Sequence, residues 1–486
     1  MNSPHPSRSI GSNYFYNALL TATNVLFPVV TFPYVLRVIG PEGIGKVTLA
    51  TTIVGYFMVL ASFGLGTYGL RQVARDRDDR EQLGRTFTEL LALNLAFSVL
   101  ALIGFLSVLF WYPIAQQEGL LYAVTSLTIV LSVLSFDWFL QGTEDFRFVA
   151  LRSIAIKSAS LVFLFVFVRK PEDYVVYALV NAFALGANNV FNVSRVLQSV
   201  TLIWRNLKPF RHLPGMSRFV LITLAAGLYS GIDKLWIANA VGSIALGYYA
   251  PAEKLARLCL SVIVALPAVA YPRMANYFQK GDRRAARQLV SSSLSLCLLF
   301  AIPILVGGEL LSSTIVLVFA GQAFSPSVRT FQILLGLVLP VSISTVLVFQ
   351  VLLASGREHL YNFVIVGELA LVVLLNAVFV ALWNQDGAAA ALVITELFGL
   401  VAVALLSRGL GVVALDWKNT FKTLSAALVM GVVVMLLQQG LLTGHNTELL
   451  VLVLCTVAGI LVYGGCLAVF REENTNKFVR LILSKA

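Results

Sequence analysis

The chain has 486 residues, of which 58% are hydrophobic and 12% charged, and its mean hydropathy is +0.85. Soluble domains carry about 25% charged residues, so this composition excludes a soluble globular enzyme and describes an integral membrane protein. The formal net charge of +11 would suit nucleic acid if it were clustered on one soluble face, but it is spread over loops between apolar runs, where it reports topology instead.

A bilayer core about 30 Å thick needs about 20 apolar residues per helix, and runs of that length predict fourteen spans. In chain order they are Asn13–Val38, Val47–Gly69, Thr86–Phe110, Leu120–Leu140, Val149–Val168, Val175–Val200 and Phe219–Val241. They continue with Leu246–Pro272, Leu289–Gly307, Val328–Leu353, Leu360–Leu382, Gly387–Ser407, Thr423–Leu442 and Leu449–Phe470.

The first span carries Asn13, Asn17, Thr21, Asn24 and Pro28 on one helical side, and the sixth repeats the device with Asn181, Asn188, Asn192, Arg195 and Ser199. Two such stripes suit either interhelical hydrogen bonding or the lining of a polar cavity; the pattern favours a cavity, with Asn24, Asn188 and Arg195 on its wall. The second span has a stripe of small residues, Thr48, Thr52, Gly55, Ser62 and Gly66, which predicts close helix packing.

Between the fourth and fifth spans, Ser135–Lys157 places Asp137, Gln141, Arg152 and Lys157 at the ends of apolar segments. Ionisable groups there cost about 2.5–3.5 kcal/mol on insertion scales, so they are expected to face a cavity or a polar partner. Asp233 and Lys234 form an adjacent pair in the seventh span. In the eighth, Glu253 precedes Arg257 by four residues, the order that permits an intrahelical ion pair. Lys254 has no acidic residue three or four positions away, and it could reach Asp233 if the two helices formed a hairpin. Lys254 is therefore expected to hold an anionic group or to bridge to Asp233.

Leu310–Ala320 is about half a span in length and follows Pro303 and Gly307; it is read as interfacial or re-entrant. Pro28, Pro33, Pro267, Pro303 and Pro340 predict bends. Glu368 and Glu396 could bind a coupling cation or bond a neighbour. Cys259, Cys297, Cys455 and Cys466 lack metal spacing and read as small buried hydrophobes, and the four scattered histidines do not suggest a metal centre or a His-based reaction.

With the termini taken as cytoplasmic, 25 of the 35 Lys and Arg fall on the inner side or at its span ends, five on the outer side or at its span ends and five deeper within spans. This bias sets both termini inside and favours fourteen crossings over fifteen. The first apolar segment is long enough to span, so no cleavable signal peptide is expected.

A faint repeat at an offset of 202 matches Gly40 and Gly45 to Gly242 and Gly247, Arg71 to Arg273, and Arg85 to Arg287. It predicts a parallel repeat of two six-helix lobes about a central cavity, residues 1–212 and 213–415, with an added pair of helices and a tail over 416–486.

Several segments together resemble a known family. They are N-A-L-L-T-A-T-N-V-L-F-P-V-V-T-F-P-Y-V-L-R-V-I-G-P-E-G-I-G (Asn17–Gly45), F-G-L-G-T-Y-G-L-R-Q-V-A-R (Phe63–Arg75), D-W-F-L-Q-G-T-E (Asp137–Glu144), I-D-K-L (Ile232–Leu235) and V-G-S-I-A-L-G-Y-Y-A-P-A-E-K-L (Val241–Leu255). These look like the Wzx-type polysaccharide branch of the multidrug/oligosaccharidyl-lipid/polysaccharide exporter superfamily. The resemblance covers most of the first 290 residues and continues only as helix count after Leu289. It implies two six-helix lobes, and flipping of undecaprenyl-pyrophosphate-linked oligosaccharides to the outer leaflet of a bacterial inner membrane by alternating access.

No cofactor is expected beyond a coupling ion, proton or sodium, and the expected partners are the lipid-linked glycan, the bilayer and other polysaccharide-assembly membrane proteins. A polytopic glycan polymerase or ligase is disfavoured by the short, nearly uncharged external loops. A drug-cation antiporter of the same superfamily would want carboxylates, whereas Lys157, Arg195, Lys234, Lys254 and Arg257 outnumber Asp137, Asp233 and Glu253.

Overall fold

A computed structural model describes residues 10–443 and 447–470. The elements described are all helical: α1 (Ile10–Ser62), α2 (Leu65–Asp76), α3 (Arg80–Trp111), α4 (Pro113–Gln117), α5 (Gly119–Ser132), α6 (Asp137–Gly142), α7 (Phe146–Phe167), α8 (Tyr174–Ser199), α9 (Leu213–Tyr229), α10 (Ile232–Ala240), α11 (Ser243–Gln279), α12 (Arg283–Ala320), α13 (Ser327–Leu335), α14 (Val338–Leu347), α15 (Glu358–Arg408), α16 (Trp417–Thr443) and α17 (Glu448–Val469). Among these residues eleven helical segments are long and apolar enough to cross a membrane. Two of the eleven each hold two of the spans read from the sequence, and the α9–α10 pair supplies a further one, in agreement with about fourteen crossings. The chain is a multi-pass membrane protein.

The two double segments break where the dihedrals leave the helical region. In α1 the break is Gly40 (φ 74°, ψ 176°), a region essentially restricted to glycine. In α15 it falls at Trp383 and Asn384, with Asn384 at φ 51°. Gly242, which the 202-residue offset pairs with Gly40, has φ 114° and ψ 177° and precedes α11. The repeat therefore reproduces a backbone device as well as a spacing. The helices carry helical dihedrals through Pro28 and Pro33 in α1 and through Pro303 in α12.

Contacts divide the chain into two compact units, Met1–Leu235 and Trp236–Ala486, with the division inside α10. In the first unit α1 is the hub, packed against α3, α5 and α7. An aromatic cluster closes the end near α2: Phe87 stacks on Trp138 with ring centroids 5.7 Å apart and meets Phe136 and Phe139 edge-on, each at 5.2 Å. In the second unit α12 is the hub, touching α11, α13, α14, α16 and α17.

Leu310–Ala320 is neither re-entrant nor a separate interfacial helix. It is the last third of α12, which runs unbroken for 38 residues, and Leu311 packs with Met430, Val434, Val451 and Cys455 of α16 and α17. The sequence stops reading as one span at Gly307-Gly308, but two helical glycines cost only about 1 kcal/mol each, and packing against α16 and α17 offsets that. Because the run continues one helix, it adds no crossing.

The small-residue stripe of the second span meets expectation in part: Thr52 Cγ2 lies 2.7 Å from where a Cβ of Gly231 would sit. A Cβ at Gly55 or Gly66 would meet nothing within 4 Å. Further close approaches occur at Gly69, where a Cβ would lie 2.7 Å from Trp138 Cε3, and at Gly142, where it would lie 2.6 Å from Val73 Cγ1. Small residues at helical spacing mark where packing is sterically possible; the neighbour decides where it happens.

The four cysteines are free thiols, with Cys297 and Cys455 buried among apolar side chains.

Candidate functional site: an arginine cavity between α7 and α8

The D-W-F-L-Q-G segment forms the one-and-a-half-turn helix α6. Its Trp138, Phe139 and Leu140 are buried in the aromatic cluster, and its glycine lies tight on α2. Arg77, just beyond α2, closes the junction with an ion pair to Glu144 at 2.7 Å. Two of the segments that carry the family resemblance, Phe63–Arg75 and Asp137–Glu144, are thus packing partners. That packing fixes Asp137 at the start of α6, facing α7 and α8.

Asp137 Oδ1 accepts from Arg152 Nη2 at 3.0 Å and from Asn192 Nδ2 at 3.1 Å. Arg152 sits in the second turn of α7 with its side chain 5% exposed, and its Nε and Nη1 are buried without a hydrogen-bond partner, as is Asn192 Oδ1. Near the end of α8, Arg195 Nε donates to Asp145 Oδ2 at 2.8 Å. Both guanidinium groups lie near the Phe148 ring, 5.6 Å from its centroid for Arg152 and 5.7 Å for Arg195, a distance at which an aromatic ring attracts a cation.

A cavity of about 510 Å³ has Arg147, Arg152, Arg195 and Asp145 on its charged side and Phe148, Leu151, Ile156 and Phe191 on its apolar side. Three arginines face one lining carboxylate. Arginine presents a rigid fork of donors suited to carboxylate or phosphate oxygens, and a buried donor left unpaired costs about 1–3 kcal/mol, more when charged. The cavity is therefore set up for an anion with an apolar neighbour.

Of the residues singled out from sequence, Arg152 and Arg195 line this cavity, and Asp137 and Asn192 are joined to Arg152 by hydrogen bonds outside its lining. Asn188, one turn earlier on α8, gives its Nδ2 to Ala184 O at 2.6 Å and does not line the cavity. Gln141 is exposed on α6. Lys157 lies over Phe27 at 5.7 Å, further along α7. The side chains of Asn13, Asn17 and Asn24 lie outside the described residues, so the α1 stripe adds nothing here. In the α9–α11 region Asp233 is buried and accepts from the Lys234 backbone N–H at 2.8 Å, while Lys234 Nζ donates to Ser230 O at 2.9 Å. Glu253 and Arg257 form the intrahelical pair that their spacing predicts, at 2.7 Å. Lys254 beside them is half-buried in α11.

Sequence reading missed a second polar cluster. Glu89 of α3, fully buried, accepts from the Lys208 N–H at 2.9 Å, from Arg211 Nε at 2.7 Å and from His212 Nε2 at 2.8 Å. Tyr68 of α2 meets His212 Nδ1 at 2.9 Å. A neutral imidazole with its proton on Nε2 satisfies both contacts, donating to Glu89 and accepting from Tyr68. Burial lowers the pKa of His212 below its usual value against the upward pull of Glu89. With the Ile203 N–H bonded to Thr88 Oγ1 at 3.1 Å, this cluster straps the α8–α9 linker to α3. No spacing signal could have found it, because Glu89 and His212 are 123 residues apart.

A family model described as polysaccharide biosynthesis protein matches residues 10–278. A protein of Escherichia coli strain K12 named as an O-antigen transporter is 22% identical over 396 residues, covering 80% of this chain and 94% of its own. One of Shigella flexneri with the same name is 25% identical over 343 residues, covering 67% and 80%. Among solved structures, the lipid II flippase MurJ in an inward closed conformation aligns with a TM-score of 0.72 at 14% identity, over 96% of this chain and 100% of its own. An inward-facing multidrug resistance transporter of the MATE family and MOP superfamily aligns with a TM-score of 0.63 at 13% identity, over 82% and 97%. At these identities the structural likeness is one of fold. The family-model match, which spans more than half of the chain and includes α6, α7 and α8, places this protein in the polysaccharide biosynthesis protein family.

Proposed function

We propose that this chain flips undecaprenyl-pyrophosphate-linked oligosaccharides from the cytoplasmic to the outer leaflet of a bacterial inner membrane, by alternating access of the lobes 1–212 and 213–415. The observation that carries the reading is the arginine cavity of α7 and α8 within a chain of the polysaccharide biosynthesis family. A diphosphate head has to leave water to cross a low-dielectric layer, and fixed guanidinium donors offset part of that desolvation. The names of the Escherichia coli and Shigella relatives support export of O-antigen units; a capsule or other exopolysaccharide unit has the same lipid diphosphate chemistry.

Asn24, Gln141, Lys157, Asn188, Asp233, Lys234, Glu253, Lys254 and Arg257 are proposed as further lining of the path, with Lys254 a second contact for the head group. The cytoplasmic placement of both termini follows from the 25-to-5 distribution of basic residues. A proton or sodium ion as the coupling species, and association with other polysaccharide-assembly proteins, belong to the same proposal.

The test is export in cells. Expressed with its cognate glycosyltransferases in a host lacking its own O-antigen transporter, the chain should restore surface glycan. Accumulation of the lipid-linked unit at the inner face, with the protein present at normal level, would refute the reading.

A further inference from the structure

A second cavity of about 410 Å³ lies between α5 and α8 and is lined wholly by apolar or small residues, among them Leu127, Leu131, Leu179, Phe183, Ala187 and Phe191. Phe191 also lines the arginine cavity, so the two meet at one side chain on α8. Residues 179, 183, 187, 191 and 195 recur at intervals of four along that helix, a strip about 24 Å long at 1.5 Å per residue. One end of the strip is Arg195, beside the buried and unpartnered Nε and Nη1 of Arg152; the rest is hydrocarbon. Nothing in the helical pattern requires a groove at this place. Gly186 lets Leu131 of α5 pack directly against the backbone of α8, and the small side chains of Ala182 and Ala187 leave room beside that contact.

We propose that a long-chain lipid diphosphate docks along α8, its phosphates at Arg152 and Arg195 and the first part of its hydrocarbon tail in the α5–α8 groove. The identity of that lipid as the anionic end of the transported unit rests on the transport reading above. The charge pattern favours it over an ordinary chain-bearing molecule: the guanidinium groups of Arg152 on α7 and Arg195 on α8 lie at one end of an uncharged strip of α8, so head and tail are recognised at adjoining places. Asp137 and Asp145 hold the arginines in place, and Nε and Nη1 of Arg152 are buried with no acceptor among the protein groups.

Binding to the purified full-length protein in nanodiscs, read with a photoactivatable C55 polyprenyl diphosphate probe, tests the site. Arg152→Gln should weaken labelling at least tenfold, and Arg195→Gln should do the same where Arg152→Gln yields no monodisperse protein. Ala187→Phe, which fills the groove, should weaken the C55 probe about fivefold and leave a C5 prenyl diphosphate within twofold. Crosslinks should map to α5 and α8. Labelling unchanged by both arginine variants would overturn the assignment. So would equal competition by phosphatidylglycerol, which would make the occupant a bilayer phospholipid, or by uncharged polyprenol, which would remove the phosphate from the recognition. Loss of binding in these variants is read on purified protein and does not depend on export. A negative result here with intact export in cells would sink the docking site alone, whereas failure of the wild-type chain to export would sink the transport reading alone.

Discussion

Replacing Asp137 by Asn isolates the pair on which the cavity is built. The amide keeps the shape of the carboxylate and removes its charge, leaving Arg152 as a guanidinium whose side chain is 5% exposed and whose Nε and Nη1 already lack partners. Breaking a buried pair from one side costs about 3–5 kcal/mol, because the remaining charge is uncompensated. Here the Asp137 side chain is 41% exposed, so solvent screens part of the interaction and about 2–3 kcal/mol is expected. Asn192 Nδ2, which donates to the same oxygen at 3.1 Å, would face an amide of uncertain orientation and adds to the loss. Thermal unfolding of the detergent-purified protein, followed by size-exclusion fluorescence, should show a clear drop in the midpoint for Asp137→Asn. Arg152→Met alone should be nearly neutral, since replacing a buried cation by an apolar chain of similar length removes the desolvation cost along with the bond. The double variant should recover most of the lost stability, giving a coupling energy of about 1–3 kcal/mol. An unchanged midpoint for Asp137→Asn, or losses that simply add in the double variant, would refute the claim that the two residues act as a pair.

Three further outcomes follow from the packing and charge described above. Gly142→Ala places a Cβ against Val73 and the Leu70 carbonyl, an overpacking worth about 1–3 kcal/mol, and Val73→Ala in the same chain should relieve part of it in the same unfolding assay. His212 has its pKa lowered by burial, so the unfolded chain binds the extra proton first, and stability should fall as pH drops from about 7.5 through the unfolded value near 6.5; His212→Gln should flatten that dependence. Cysteines placed at Asp78 and Lys280, in the two basic loops that the repeat aligns, should resist a membrane-impermeant thiol reagent added to intact cells and react once the cells are opened. Labelling of either from outside would reverse the assigned topology.

Much of the architecture is legible because the bilayer imposes a single length rule on every helix. Apolar runs of about 20 residues translate directly into the observed helices, and the glycine spacing of the repeat points to Gly40 and Gly242, both of which adopt positive φ. The rule fails where one helix outruns the membrane: α12 continues past Gly307-Gly308 because α16 and α17 pack on its far end, and those partners come more than a hundred residues later in the chain. The site was legible in part. Asp137, Arg152, Asn192 and Arg195 stand out as polar groups in greasy helices, and the structure supplies the one fact that spacing could not, that Arg152 and Arg195 line one cavity while Asp137 and Asn192 bond beside Arg152. Asn188 has the same stripe position but donates to its own helix and accepts from Ser153 of α7, since an amide finds neutral partners where a guanidinium needs an anion. Glu89 and His212 escaped notice because each reads as ordinary at the edge of its own segment, and only the fold of the α8–α9 linker brings them together.

Transport itself is tested most directly in proteoliposomes holding only this protein and a fluorescent undecaprenyl-pyrophosphate-linked oligosaccharide, with a membrane-impermeant quencher reporting which leaflet holds the label. The wild-type chain should make the inner-leaflet pool accessible to the quencher, and the Arg152→Gln/Arg195→Gln variant, reconstituted to the same density, should leave it protected. A wild-type protein that leaves half of the label protected, as protein-free vesicles do, would contradict the account.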